Sequence, residues 1–230
     1  MNNMVKNRIG LLTIGQSPRA DVTNDLKNLI HIDVEFVECG ALDEFTYNEV
    51  VEKLAPEPSH TTYVTRMRDG RQVKISKEKI ISYMQKCIYK LESKNVDLII
   101  ILCSGEFPEF KSKVPIVYPD KLLKSFVSAL RTRGLTVVLI PIPEQVEYAK
   151  NKWSSVLPEL HVEPISPYTS TKDTFRSLGM KLRNMDTKLI VMDCIGYTTA
   201  QRKIISEIVK NPIISTRSVI ARLIDELYYK

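Results

Sequence analysis

Short apolar runs alternate with longer amphipathic stretches along most of the chain. The apolar runs cover residues 9–14, 34–37, 98–102, 114–117, 135–140 and 189–192. Helical periodicity is found in residues 21–30, 75–93, 119–131, 144–153, 171–183, 198–209 and 215–229. Continuous apolar runs of this length are typical of strands buried on both faces of a parallel sheet. The alternation therefore predicts an α/β fold with mostly parallel sheets.

One stretch departs from this alternation. Residues 61–67 and 71–75 alternate in polarity and flank Asp69-Gly70, a pair that favours a tight turn. We predict a β-hairpin with a type I′ turn at residues 61–75, inserted into the first half of the chain. Its expected role is that of a lid or of a contact in a homo-oligomer.

The two halves of the chain resemble each other in sequence. IGLLTIGQSPRADV is similar to TVVLIPIPEQVEYA, VDLIIILCSG to TKLIVMDCIG, and VPIVYPDKLLKSFVSAL to NPIISTRSVIARLIDEL. This internal repeat predicts two similar α/β lobes, residues 1–133 and 134–230, of which the first carries the hairpin. The last helix, residues 215–229, is expected to pack on both lobes.

Composition places the chain among ordinary globular proteins. Of its 230 residues, 43% are hydrophobic and 26% are charged, which excludes the disordered, collagen-like and disulfide-scaffold classes. No apolar run approaches the roughly 20 residues of a membrane helix. The first residues also lack the long apolar core of a secretory signal. We therefore expect a cytoplasmic protein without membrane contacts.

The net charge of +6 is suited to small anionic ligands or to nucleic acid. The chain has no RNA-binding or helix-turn-helix motif, and its densest lysines, in residues 77–94, have the spacing of a solvated helix face. We expect no nucleic-acid partner. Because GxGxxG, GxxxxGK[ST] and zinc-ligand spacings are all missing from the sequence, we also expect neither a cofactor nor a metal.

Two cysteines fall at matching points of the internal repeat. Cys103 and Cys194 each end a predicted strand and stand two residues before a glycine. Ligands of parallel α/β sheets bind at the carboxyl ends of strands, so pseudo-twofold packing of the lobes would set both thiols against one substrate. One thiolate would remove a proton from a carbon acid while the other thiol returns one. Small buried core side chains are the alternative interpretation of both residues.

The remaining cysteines have a different expected role. Cys39 ends a predicted strand, and Cys87 lies among apolar neighbours in a predicted helix. We predict that both are structural. All four thiols are expected to be reduced in a cytoplasmic protein.

The loop after the first predicted strand is a candidate carboxylate site. Ser17 is predicted to be a helix N-cap with Pro18 at the first helical position, so that backbone N–H groups of the Gln16–Ser17 turn would face a ligand. Arg19 would add a bidentate clamp. Gly40 suits close approach of a ligand after the second strand. A plain helix start, a solvated arginine and a simple turn are the respective alternatives.

Side chains next to the two thiols complete the candidate site. Glu106 would take or relay a proton near Cys103, and Ser104 is expected to contact the substrate. After the second thiol, Tyr197 and Thr198 are expected to donate hydrogen bonds to the substrate. A helix cap explains Thr198 equally well.

Two further predictions concern the second thiol's surroundings. Thr198 and Gln201 have the spacing of a capping box, which predicts a helix start directly after Cys194. Asp193 should point to the face of its strand opposite Cys194. Arg217 is expected to carry surface charge or to form a salt bridge.

These residues lie in blocks that resemble the AroM family: LLTIGQSPRAD, CGALDEF, YVTRMRDGRQV, ILCSGEFP, Lys152-Trp153, MDCIGYT and STRSVIARL. More distantly, the chain is similar to the aspartate/glutamate/hydantoin racemase superfamily, which includes maleate isomerases and arylmalonate decarboxylases. That resemblance implies two similar α/β lobes, one cysteine from each lobe and no cofactor.

The resemblance implies a cofactor-independent racemase or isomerase that acts on a small carboxylate through a cysteine pair, or a related decarboxylase. The chain departs from the superfamily at Ser104, where Asn is common, and at Asp193, where Gly is common. It also lacks the usual His after the second cysteine. A second function therefore stays open, a non-catalytic protein that binds a small anion on a racemase-like scaffold.

Overall fold

The computed structural model describes residues 7–130 and 132–229. The strands are β1 (Asn7–Thr13), β2 (Val34–Gly40), β3 (Thr62–Arg66), β4 (Gln72–Ser76), β5 (Leu98–Ile101), β6 (Ile116–Val117), β7 (Leu135–Ile140), β8 (Leu160–Pro164), β9 (Thr187–Met192) and β10 (Ile213–Ser215). The helices are α1 (Ala20–Leu29), α2 (Tyr47–Lys53), α3 (Lys77–Glu92), α4 (Pro119–Ser128), α5 (Val146–Ser154), α6 (Lys172–Asn184), α7 (Thr199–Ser206) and α8 (Thr216–Tyr228). Arg131, the predicted end of the helical stretch 119–131, lies outside the described residues.

The strands form two parallel sheets of four strands each. Their orders are β2-β1-β5-β6 and β8-β7-β9-β10, and every pairing within them is parallel. Strands β5 and β9 are almost entirely buried, as expected for strands covered by helices on both faces. The α/β prediction with parallel sheets is confirmed.

The internal repeat is also a repeat of strand register. Leu12 of β1 pairs with Ile101 of β5, and Leu139 of β7 pairs with Met192 of β9. Ile101 and Met192 each lie two positions before a cysteine. Both thiols therefore follow equivalent strands at equivalent heights in their own sheets.

The predicted hairpin is present, but its turn is of another type. Strands β3 and β4 pair in antiparallel fashion from Thr62 opposite Ser76 to Arg66 opposite Gln72. Gly70 has a φ of +89°, whereas Asp69 is not among the positive-φ residues, and a type I′ turn needs positive φ at both. The N–H of Gly70 donates to the carbonyl of Met67 (3.0 Å), which closes an ordinary turn followed by a left-handed glycine. Because the N–H of Met67 also donates to the carbonyl of Arg71 (2.8 Å), the closed loop contains three residues, 68–70, rather than the two of a type I′ hairpin, and the type I′ prediction was wrong.

Two elements had no apolar signal strong enough to be predicted. Strand β8 carries His161 and Glu163 and buries only Val162. Helix α2 spans seven residues and begins with a capping box between Thr46 and Glu49. Edge strands and helices of about two turns bury too little apolar surface to give a clear period.

The described residues divide into two compact units. One contains the described residues of Met1–Pro119 and Arg222–Lys230, and the other contains Asp120–Ala221. In the second unit, alternate residues of β7 and β9 belong to two different hydrophobic clusters, one around Phe175 and one around Trp153. The lobe limits predicted from the sequence, 1–133 and 134–230, and the packing of the last helix on both lobes stay predictions. No helix in residues 7–130 and 132–229 is long and apolar enough to span a bilayer.

Cys39 and Cys87 form a disulfide that joins the end of β2 to α3. The prediction that all four thiols are reduced was therefore wrong. The fold brings the two Cα atoms to 5.7 Å, inside the range that a disulfide spans. Cys103 and Cys194 are free cysteines.

Candidate functional site

The two free thiols have the same local geometry in their respective units. The Sγ atom of Cys194 accepts the backbone N–H of Gly196 at 3.3 Å, and the Sγ atom of Cys103 accepts that of Gly105 at 3.3 Å. An N–H donor two residues ahead of a sulfur favours the thiolate form over the thiol. The sequence repeat thus carries a repeated thiol environment.

The turn that contains Cys194 is held by a buried arginine. Arg217, only 1% exposed, donates from Nε to the carbonyl of Ile195 (2.6 Å) and from Nη2 to that of Gly196 (3.0 Å). The expectation that Arg217 carries surface charge or a salt bridge was therefore wrong in its first part, because the side chain lies inside the unit beside the thiol turn.

Asp193 points away from Cys194 into a polar cluster inside the second unit. Its carboxylate accepts two hydrogen bonds from the Lys152 ammonium (2.8 and 2.9 Å) and one from the indole N–H of Trp153 (2.7 Å). The Lys152 and Asp193 side chains are 1% and 4% exposed. The predicted orientation of Asp193 is confirmed, and the Lys152-Trp153 block of the sequence is its partner.

The residues after Cys194 start α7 as predicted. Thr198 accepts the N–H of Gln201 (3.1 Å), and the Gln201 side chain accepts the N–H of Thr198, which completes the capping box. The hydroxyl of Tyr197 donates to the carbonyl of Ile165 (2.8 Å), and its ring meets Phe175 edge-to-face. Burial, followed by the nearby Cys194, raises the pKa of Tyr197 well above its ordinary value. The roles of Tyr197 and Thr198 in substrate binding stay predictions.

The predicted carboxylate site in the first unit holds a carboxylate of the chain itself. Asp43 accepts the backbone N–H of Ser17 (2.6 Å), the Ser17 hydroxyl (2.7 Å) and the backbone N–H of Gly40 (2.8 Å). Arg68 approaches the same carboxylate at 3.4 Å. A Cβ at Gly40 would stand 2.5 Å from the Ser17 nitrogen and from Asp43 Oδ1, so this backbone approach requires glycine. We call these donors, with Asp43, the Asp43 cradle.

The Asp43 cradle also explains why Ser17 does not cap α1, although the predicted helical stretch, 21–30, gives the start of α1 to within one residue. The first residue of α1 is Ala20, and the side chain of its N-cap residue, Arg19, makes no capping hydrogen bond. Both donors of Ser17 are engaged by Asp43. The prediction of Ser17 as the N-cap was therefore wrong.

Gln16 and Arg19 are bound inside the first unit. The Gln16 amide donates to the carbonyls of Leu42 (3.1 Å) and Phe45 (2.8 Å) and accepts the N–H of Arg68 (2.8 Å). Arg19 clamps Asp21 through two bonds of 2.8 Å. Its guanidinium does form a bidentate pair, but with a neighbouring side chain; its contact with a substrate stays a prediction.

A half-buried carboxylate lies beside this arginine. The backbone N–H of Arg19 donates to Glu38 at 2.6 Å. Burial raises the pKa of Glu38, against the opposing effect of that hydrogen bond.

The hairpin lies over the loop that follows β1. The N–H of Gln16 donates to the carbonyl of Arg66 (3.1 Å), and Arg68 Nε donates to the carbonyl of Ser17 (2.7 Å). The hairpin also holds the first thiol turn, because the Tyr63 hydroxyl donates to the backbone carbonyl of Glu106 (2.9 Å). Ser104 is buried in this turn. The assignments of Ser104 and Glu106 to substrate binding and proton relay stay predictions.

Sequence reasoning missed three residues of these surroundings: Asp43, Arg68 and Arg217. Asp43 carried one usable signal, since it stands three residues after Gly40 in the CGALDEF block, the spacing of a side chain that folds back on a turn. Among the described residues, no group of three or more His, Cys, Asp or Glu side chains is arranged to hold a metal ion.

Solved structures similar to this chain share its fold. They include the aspartate racemase of Picrophilus torridus (TM-score 0.58, 12% identity, covering 96% of this chain and 94% of that one). Allantoin racemase from Klebsiella pneumoniae matches with a TM-score of 0.61 and 13% identity over 96% and 87% of the two chains. The maleate isomerase Iso from Pseudomonas putida S16 matches with 0.59 and 13% over 96% and 92%. A comparison with curated proteins finds no match.

Identities this low establish the fold alone, which is racemase-like. The family model described as AroM protein, in contrast, matches residues 9–228, nearly the whole sequence. This match agrees with the blocks around both thiols and with the Lys152-Trp153 pair that binds Asp193. The chain therefore belongs to the AroM family.

Proposed function

We propose that this protein is a cofactor-independent racemase or isomerase of a small carboxylate, with Cys103 and Cys194 as its acid–base pair. The observation that carries the proposal is the repeated thiol environment. Each cysteine lies two positions after the end of an equivalent strand, and its sulfur accepts a glycine N–H at 3.3 Å. Two structural core cysteines would not need the same donor at the same distance.

The proposed chemistry uses one proton on each side of the substrate. One thiolate takes the proton from the α-carbon and becomes a thiol, which leaves a carbanion stabilised as an enediolate. The other thiol gives its proton to the opposite face and becomes a thiolate. Protons and charges balance without a further reactant. In the isomerase variant one thiolate adds to a double bond as a nucleophile, and in the decarboxylase variant a single thiol supplies the proton.

Neighbouring groups would bind and orient the substrate. We assign this role to Ser104, Thr198 and Tyr197 beside the thiols, and Glu106 to proton relay. Gln16, Ser17, Arg19 and Gly40 are the proposed groups for the carboxylate end. The Ser17 and Gly40 donors already bind Asp43, so a substrate carboxylate would have to replace the Asp43 side chain there.

The Asp43 cradle also supports a second candidate function, a protein that binds an anionic metabolite without converting it. The donors of Ser17 and Gly40, together with the Arg68 guanidinium, already match a carboxylate in geometry. An external anion that displaces Asp43 would bind to the same groups. This function requires no reaction at either thiol.

The experiment that separates the two functions is an inversion screen by NMR in D₂O. The compounds tested are single enantiomers of aspartate and allantoin, together with maleate, chosen from the names of the similar structures. Further chiral carboxylates extend the panel. Inversion or isomerisation by the parent protein, lost in the Cys103→Ala/Cys194→Ala double variant, supports the enzyme. The Cys39→Ala/Cys87→Ala variant is the matched control and should retain activity. Saturable binding of a panel member with no conversion would support the second function instead.

A further inference from the structure

A charged side chain acts on the second thiol through a single peptide group. The carbonyl oxygen of Ile195 accepts Arg217 Nε at 2.6 Å, and the N–H of the same peptide, that of Gly196, donates to Cys194 Sγ at 3.3 Å. The guanidinium and the sulfur are therefore the two ends of one chain of hydrogen bonds. Arg217 Nη2 also donates to the carbonyl of Gly196, so the turn is held at two points.

We infer that Arg217 is a positioning residue that stabilises the Cys194 thiolate through the Ile195–Gly196 peptide. A charge-assisted bond to a carbonyl oxygen polarises the amide, and the amide N–H becomes a stronger donor. A stronger donor favours the anionic sulfur over the neutral thiol. The burial of Arg217, at 1% exposure, strengthens this effect because little water screens the charge.

Asp193, Tyr197 and Tyr168 also lie near this turn. Asp193 precedes the thiol but points to the opposite face of the strand, where Lys152 neutralises it. Tyr197 follows on the same turn and stays protonated because burial raises its pKa. Tyr168, from the segment after β8, lies against Gly196, where its hydroxyl would be 2.7 Å from an added Cβ. Arg217 is the cation that the hydrogen bonds connect to the sulfur.

The consequence for the reaction rests on the proposed function. A stabilised Cys194 thiolate would be the base that takes the α-proton from one enantiomer. Arg217 does not need to touch the substrate for this role, since it acts through the peptide.

The experiment measures the pH midpoint of iodoacetamide alkylation at each free thiol by peptide mass spectrometry. The midpoint reports the thiolate equilibrium and is independent of how slowly a buried sulfur is reached. Arg217→Met is expected to raise the Cys194 midpoint by about one pH unit, which lowers the thiolate fraction about tenfold at neutral pH. Cys103 in the same molecules is the internal control and should not move.

A matched variant controls for the loss of any arginine that binds a carbonyl. Arg202 lies in the same unit and donates to the carbonyl of Ile213 at 2.9 Å, on a peptide that the structure does not connect to either thiol. Arg202→Met should leave the Cys194 midpoint unchanged. Arg217→Lys keeps the positive charge but loses the planar guanidinium that donates to two carbonyls at once. It should raise the Cys194 midpoint by about half a pH unit, roughly a threefold loss of thiolate.

The fluorescence of Trp153, the only tryptophan in the sequence, verifies that each variant is folded. If Arg217→Met does not fold, Arg217→Lys carries the test alone. A Cys194 midpoint equal to that of the parent in a folded Arg217 variant overturns the inference, as does an equal rise in Arg202→Met. Because alkylation needs no substrate, a failed inversion screen with a shifted midpoint would reject only the proposed function.

Discussion

The buried ion pair behind Cys194 gives the sharpest prediction for stability. Lys152 and Asp193 are almost completely buried, and three hydrogen bonds from Lys152 and Trp153 converge on the carboxylate. Lys152→Met leaves the carboxylate buried beside one neutral donor. Asp193→Asn leaves the ammonium buried beside a neutral amide. Either change leaves one buried charge without its ion-pair partner, in a place that water does not reach.

Removal of one partner from such a pair costs about 3–5 kcal/mol, because the remaining charge is desolvated and uncompensated. A urea m-value of about 2 kcal/mol/M is typical of a small domain. The unfolding midpoint should then fall by roughly 1.5–2.5 M for either single variant. The double variant Lys152→Met/Asp193→Asn carries neither charge, and its amide oxygen can still accept from Trp153. It should therefore be more stable than either single variant.

The assay is urea unfolding followed by the fluorescence of Trp153, whose indole N–H belongs to the cluster. Lys150→Met is the matched control on the same helix, because Lys150 pairs with Glu147 at the surface. Exposed pairs contribute little, so this variant should stay within about 0.5 kcal/mol of the parent. Single variants at Lys152 and Asp193 that unfold at the parent midpoint would refute the reasoning. A double variant less stable than both single variants would do the same.

Three further predictions concern the first unit, the disulfide and Tyr197. Asp43→Ala should free the Ser17 N–H for an added dicarboxylate such as malonate, seen as a saturable shift of the Ser17 amide in NMR; no response at that amide would contradict the cradle. Reduction of the Cys39–Cys87 disulfide, which closes a loop of 48 positions, should lower the free energy of unfolding by about 4 kcal/mol in the chain-entropy model, and an unchanged urea midpoint in dithiothreitol would argue against it. Because burial raises the pKa of Tyr197, the unfolded state loses this proton near pH 10 while the folded state keeps it, so stability should fall above that pH. Tyr197→Phe should fall less steeply there, and identical slopes would count against the raised pKa.

Much of the fold could be predicted because its strands are buried on both faces. Strands such as β5 and β9 give continuous apolar runs, and the cysteine at the end of each run marks the edge of the sheet where ligands bind. The repeat then related Cys103 to Cys194, and the registers within the two sheets agree with it.

The rest depends on contacts between residues distant in sequence. Cys39 and Cys87 are 48 positions apart, and only the packing of α3 on β2 brings them together. Ser17 has the local pattern of a helix cap, but Asp43, 26 positions away, takes both of its donors. The charge-assisted hydrogen bonds to the Asp43 carboxylate are stronger than the local preference of Ser17 for a helix N-cap.

The surroundings of the second thiol show the same limit. Arg217 looked like an ordinary charged residue at a helix start, and nothing local indicates that it reaches a turn more than 20 residues earlier. Asp193 was different, because strand alternation alone fixes the face to which it points.

We propose that Cys103 and Cys194 take part in one reaction. The most direct test of this proposal is the rate at which each single variant, Cys103→Ala or Cys194→Ala, inverts the substrate found by the screen, with deuterium incorporation at the α-carbon followed by NMR in D₂O. We expect inversion with deuterium uptake to fall at least about 10²-fold in both variants. Inversion at the parent rate in either variant would contradict it.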